Sequence, residues 1–203
     1  TENSPQAKTD PDNTQLWRMN VRRMSAENVR DGLLSLSKLL DPKMGGPEID
    51  ETKGQDIYRR SLYFRHTPDL QMDMLKVFDA ASPTECYRRS ESVVPQQALA
   101  LANSPLTQAM SRLLARKLAA GNPTEDTFIK VAFETILSRS PTTQEATACE
   151  NFLSEQAKLL SSGKLQPIGG AGAGVAPSTD PKLRAKESLI HVLMNHNDFV
   201  TVR

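Results

Sequence analysis

The stretch that decides the fold is residues 105–160, PLTQAMSRLLARKLAAGNPTEDTFIKVAFETILSRSPTTQEATACENFLSEQAKLL. Leu106, Met110, Leu113 and Leu118 recur at helical spacing, and Gly121 stands where a helix-closing residue belongs. Thr124 then caps a second apolar face made of Phe128, Val131, Ala132 and Ile136. Thr142 to Glu145 has the spacing of a capping box, in which a hydroxyl and a carboxylate satisfy each other's free backbone N–H groups. The helix it opens carries Ala146, Cys149, Leu153 and Leu160 on one side. Three consecutive amphipathic helices joined by short turns predict helix-on-helix packing.

The same signals extend outward. Ser25 reads as an N-cap, followed by a stripe of Val29, Leu33, Leu36 and Leu40 that Pro42 ends. Upstream, Asp12 or Asn13 is in place to cap a first helix presenting Trp17, Val21 and Met24. Residues 1–10 are polar and expected to be loose. Gly45-Gly46-Pro47 is a turn, and residues 48–57 read as an acidic, polar loop. Alternation from Arg60 to Arg65 suggests a short extended piece. Pro68-Asp69 is read as opening a helix with Leu70, Met74 and Phe78 in register. Pro95 suits the first turn of a helix over Gln96 to Ala102 that stops at Asn103, and Asp180-Pro181 starts the last one. Residues 161–180, with the run Gly169-Gly170-Ala171-Gly172-Ala173-Gly174, have too little apolar surface to offset ordering and are expected to be a flexible insertion. The expectation is an all-α, irregular bundle of about six to eight helices over residues 11–203.

The composition narrows the function. With 25 basic and 24 acidic residues in 203, the net charge of +1 argues against a nucleic-acid binder. No apolar run approaches the roughly 18 residues of a membrane span. The run of glycines lacks the spacing of a phosphate loop. The two cysteines, Cys86 and Cys149, are compatible with one disulfide or with two buried thiols. His191 and His196 are five apart and miss the i, i+4 metal pair, so no metal is expected. Ser35-Leu36-Ser37-Lys38 spells SxxK but lacks its companion motifs, so no catalytic residue is assigned.

The arginines are the most distinctive feature. Arg18, Arg22, Arg23, Arg30, Arg59, Arg60, Arg65, Arg88 and Arg89 all lie in the first half. A guanidinium grips carboxylates or phosphates through a planar fork, so Arg59, Arg60, Arg65, Arg88 and Arg89 are candidates for an anion or interdomain site. Glu27, Asp31, Asp73, Asp79, Glu85 and Glu91 share these segments, and such interspersion favours an internal ion-pair network. Gln96 and Gln97 can satisfy backbone groups of a neighbouring loop from a helix start.

Six blocks, in order, carry a family resemblance. They are Asp10 to Asn13 with Trp17, Arg18, Arg22 and Arg23; Met44-Gly45-Gly46-Pro47; Arg59 to Tyr63; Phe78-Asp79 with Cys86 and Arg89; Pro95 to Asn103, including Gln96; and His191 to Phe199. From about residue 10 to the end, the chain resembles the C-terminal domain of unknown function number 1553 of large secreted planctomycete proteins, many of which carry a cytochrome-c-type domain near the N-terminus. Val94 departs from the helix-capping Thr of that pattern, and the Gly/Ala insertion is peculiar to this chain. The resemblance implies an extracytoplasmic, multidomain parent of which this is a fragment, a reading that a start at Thr1 also suggests. It implies no activity, and no haem for this piece, which lacks the haem motif. The expected role is a non-catalytic structural or interaction domain whose partners are upstream domains or another chain. The alternatives are a module that cleaves or binds extracellular polysaccharide and an accessory to a cytochrome-c-type electron-transfer protein.

Overall fold

The computed structural model describes residues 5–85, 89–121, 124–163 and 174–202, and within them the fold is the all-α irregular bundle that the apolar spacing predicts. Eight α-helices occur among the described residues: α1 (Pro5–Thr9), α2 (Ala26–Leu36), α3 (Asp73–Val77), α4 (Pro95–Asn103), α5 (Pro105–Gly121), α6 (Glu125–Leu137), α7 (Thr143–Ser161) and α8 (Pro181–Met194). Short 3-10 turns span Glu51–Gln55, Ser61–Tyr63 and Asn197–Phe199. A two-residue antiparallel ladder joins β1 (Arg22–Arg23) to β2 (Thr201–Val202).

The caps fall where the sequence places them. Ser25, Thr124, Thr142 and Asp180 each accept a backbone N–H of the first turn that follows. Thr142 and Glu145 complete the capping box, with the Thr142 N–H donating to Glu145 Oε2 at 2.8 Å. Ser138 closes α6 at φ 55°, in the left-handed region.

The apolar faces meet in one core. Helix α5 lies against α8, α8 also packs on α7, and α2 joins α3 and α5. Val29, Leu33, Leu34, Met110, Leu114, Phe128, Ile190 and Met194 are almost completely buried. Each such side chain contributes about 1.5–3 kcal/mol of transfer free energy. Cys149 is a buried free thiol whose pKa burial pushes up. The pairing considered with Cys86 lies outside the described residues, as do Arg88 and the centre of the expected insertion, residues 164–173.

Residues 5–9 form a short helix with no buried residue. Three local expectations are corrected. Trp17, Val21 and Met24 do not share a helix; residues 10–20 form a loop tied by its own polar side chains. Asp10 accepts the N–H groups of Thr14 and Gln15, Asn13 sits at φ 55° and bridges Arg18 and Asn20, and the Trp17 indole donates to the Asp10 carbonyl. Asp and Asn compete in this way with helix formation, and here they win. The alternation at 60–65 is a 3-10 turn flanked by isolated parallel bridges, Asp41 to Arg59 and Ile49 to Phe64, instead of a strand. Helix α3 starts at Asp73, later than Pro68-Asp69 suggests, and leaves Leu70 41% exposed.

Candidate functional site

Arg30, Arg59, Arg65 and Arg89 act as separate fasteners of the fold. Arg30, on α2, is fully buried. It donates to the carbonyls of Gly54 (2.9 Å), Ile57 (2.7 Å) and Arg59 (2.9 Å) and lies 4.7 Å from the Phe64 ring centroid. The neighbouring Asp31 accepts the N–H (2.8 Å) and hydroxyl (2.6 Å) of Ser61. One turn of α2 thus holds the irregular segment 54–61 against the bundle. Burial lowers the Arg30 pKa, and Asp31 opposes that shift.

Arg59, Tyr63, Gly45 and Gly46 form a second unit. The Arg59 guanidinium lies over the Tyr63 ring at 3.9 Å and donates to the carbonyls of Lys43 (2.6 Å) and Gly45 (2.8 Å). The Tyr63 hydroxyl accepts the Gly45 N–H at 3.0 Å. Gly46 has φ 103°, and a Cβ there would stand 3.3 Å from Arg59 Nη1. Arg65 pairs with Glu48 (3.1 Å) and approaches Glu51 (3.7 Å). Arg60 is exposed and makes no ion pair among the described residues.

A third unit holds the chain between α3 and α4. Asp79, at φ 59°, ends α3, and its carboxylate accepts the N–H (2.7 Å) and hydroxyl of Ser92. Arg23 donates to the Ser92 carbonyl and faces the Phe78 ring. Val94 offers no cap oxygen, but Gln97 Oε1 accepts its N–H, and Gln97 Nε2 donates to the Val77 (3.0 Å) and Ser92 (3.3 Å) carbonyls. Gln97 is therefore the buried member of the pair that follows Pro95, and Gln96 is exposed. Arg89 closes this side with a bidentate pair to Glu27, at 2.6 and 3.1 Å. Of the carboxylates named with the arginines, Glu27 and Asp31 pair with them; Arg65 instead uses Glu48 and Glu51.

Two concave sites lie away from these arginines. The larger, about 520 Å³, runs between α2, the end of α6 and residues 198–202. Its charged members are paired internally: Arg139 binds Asp198 (2.9 Å) and Glu145 (2.7 Å). Those hydrogen bonds raise the Arg139 pKa, and the Arg139 bond is the largest cause that pushes Glu145 down to about 2. What remains of this groove is largely apolar, with Met24, Leu36, Ile136 and Phe199 in its walls.

The second cleft, about 340 Å³, lies where α4, α5, α7 and α8 converge. Asn103, Gln108, Arg112, Gln156, Arg184, Glu187 and His191 line it. Arg112 and Arg116, one turn apart on α5, hold the chain entering α8 by donating to the Val175 (2.6 Å) and Ala176 (2.5 Å) carbonyls. Glu187, 4% exposed, receives Arg116 on Oε1 (2.9 Å) and the Ser178 N–H on Oε2 (3.0 Å). His191 Nε2 lies 3.0 Å from the Ala102 carbonyl, which only accepts, so that nitrogen carries the hydrogen. Burial, the largest cause, lowers the His191 pKa and favours the neutral ring. His196 is apart from His191 and caps the turn at Asp198. The arginines and Glu187 of this cleft were missed at the level of sequence because they come from helices 60 or more residues apart with no local motif.

No group of three or more His, Cys, Asp and Glu side chains among the described residues is placed to hold a metal ion. No helix among them is long and apolar enough to cross a membrane. No curated protein and no solved structure matches the chain. One family model does match, over residues 1–153 of 203, which takes in the three arginine units and α1 to α6 and stops within α7. Its description is PSD1, protein of unknown function (DUF1553), and the chain belongs to that family.

Proposed function

We propose that this chain is a non-catalytic structural or protein-interaction domain of a larger, extracytoplasmic, multidomain protein. The observation that carries the reading is the use made of the first-half arginines. Arg30, Arg59, Arg65 and Arg89 engage the chain's own carbonyls and carboxylates, on separate units of the fold. A polyanion site needs several guanidinium groups turned to one cleft, and an acid-base hydrolase needs a carboxylate pair there as well. Among the described residues the arginine segments do not bring several guanidinium groups to one cleft, which supports a structural use of them. Their geometry suits a role in holding a long irregular segment in one shape on a helical frame. Leu16 (75% exposed) and Met19 (50%) lie on the polar-tied loop and Val21 (50%) directly follows it, and such apolar side chains favour contact with another domain or chain. The extracytoplasmic placement rests on the family resemblance of the sequence.

The test is to isolate the parent protein from its native source, fractionate the compartments, and cross-link it. Cross-links from the neighbourhood of residues 16–21 to another domain or chain, in the extracytoplasmic fraction, are the expected result. Turnover of any substrate by the 203-residue chain that a single substitution removes would overturn the reading, as would a parent found in the cytoplasm.

A further inference from the structure

The cleft of Arg112 and Arg184 carries more positive charge than the described residues around it neutralise. Glu187 is the only carboxylate among the described residues of its lining, and both Glu187 oxygens are occupied, by Arg116 and by the Ser178 N–H. Arg112 is 8% exposed, and among the described residues its guanidinium donates only to the Val175 carbonyl. The Arg184 guanidinium has no hydrogen bond or ion pair among the described residues, although its backbone is fixed in the first turn of α8. Residues 164–173 contain no Asp or Glu, so that segment brings no compensating carboxylate. Burial, then repulsion from Arg184 and Arg116, pull the Arg112 pKa down against the attraction of Glu187. An anion in the cleft would relieve that repulsion.

The rest of the lining narrows the kind of anion. The carboxamides of Asn103, Gln108 and Gln156 reach the cleft from α4, α5 and α7, and none has a hydrogen-bond partner among the described residues. A carboxamide both donates and accepts, which matches an alcohol group. No Phe, Tyr or Trp is among the described residues that line the cleft, so it offers no broad stacking platform for a chain of sugar rings. Its volume of about 340 Å³ suits one small molecule. We propose that this cleft binds a small hydroxylated organic acid of the sugar-acid class. The carboxylate lies on Arg112 and Arg184, and the hydroxyls on Asn103, Gln108 and Gln156. The inference is independent of the role assigned above to the first-half arginines.

Titration calorimetry of the 203-residue chain at low salt tests it, with glucuronate as the probe. Glucose, which has the hydroxyls without the charge, and acetate, which has the charge without the hydroxyls, are the controls. The expected result is saturable glucuronate binding with Kd below about 10 mM and both controls weaker by about tenfold or more. Arg184→Gln removes a guanidinium that makes no hydrogen bond or ion pair among the described residues. It should weaken glucuronate by about tenfold, the size of one charge-assisted hydrogen bond, while leaving the melting temperature unchanged. Absence of saturable binding, equal binding of either control, or an Arg184→Gln chain that binds glucuronate as tightly as the parent would each overturn the proposal.

Discussion

Replacing Arg30 by Met tests whether the buried arginine holds the irregular half of the fold to the helical half. Met occupies a similar elongated volume, so the change removes donors without opening a large cavity. Three backbone carbonyls, of Gly54, Ile57 and Arg59, lose a charged donor. An unsatisfied buried acceptor costs about 1 kcal/mol or more, which gives about 3 kcal/mol for the three. Removing the guanidinium also removes its desolvation penalty, which offsets part of that loss. Unlike a buried salt bridge replaced as a pair, the acceptors here are backbone and cannot be mutated away. Asp31 keeps its own partners, the N–H and hydroxyl of Ser61. The net expectation is a loss of about 2–3 kcal/mol, read from the urea midpoint with an unchanged slope. Amide exchange should speed up first over residues 54–61. The companion variant Arg89→Met removes the Glu27 pair, whose side chains are 42% and 25% exposed, and should cost below about 1 kcal/mol. An Arg30→Met chain within about 0.5 kcal/mol of the parent would refute the reasoning, because surface substitutions alone reach that size.

Other outcomes follow from the same geometry. Gln97→Leu strips a donor from the Val77 and Ser92 carbonyls and an acceptor from the Val94 N–H, so thermal unfolding should show a loss of about 2 kcal/mol; an unshifted melting temperature would contradict the role given to Gln97. Gly46→Ala should destabilise by about 1–3 kcal/mol, because φ 103° is closed to a residue with a Cβ and Arg59 Nη1 stands 3.3 Å away, and it should exceed Gly45→Ala, where φ is 72° and the space is open; chemical denaturation of the two variants side by side checks the order. Glu145 is held down at about 2, chiefly by its hydrogen bond to Arg139 and also by the Thr142 N–H, against an ordinary value of 4.5. Its folded pKa is depressed, so its stabilisation is complete above pH 4.5 and is lost as the pH falls toward 2. Glu145→Gln should therefore flatten the stability-pH curve in that window by about 1 kcal/mol after allowance for solvent screening, and an unchanged curve would count against the Arg139–Glu145 pair.

Much of the fold was legible along the chain, because helices advertise themselves through nearest neighbours. Ser25, Thr124, Thr142 and Asp180 act as caps through bonds that reach only two or three residues, and the stripes from Val29 to Leu33 and from Phe128 to Ile136 lie on single helices. The family blocks at Gly45-Gly46, Arg59 to Tyr63, Asp79 and Pro95 to Asn103 mark three-dimensional units of the fold or the helix that joins them. The sequence alone misread residues 10–24, where Asp10 and Asn13 bond the backbone of their own loop and override an apolar period that would have suited a helix. It also took 60–65 for an extended piece, since a 3-10 turn held from outside by Asp31 leaves no periodic trace. Only the tertiary structure decided which guanidinium groups have partners among the described residues and which do not. Arg30 looks like any helical arginine in the sequence, yet it is the most deeply buried arginine among the described residues, because the carbonyls it serves lie 24 to 29 positions away. Arg112, Arg184 and Glu187 meet through the packing of α5 on α8, and charge balance between helices is set by that packing and not by the order of residues along the chain.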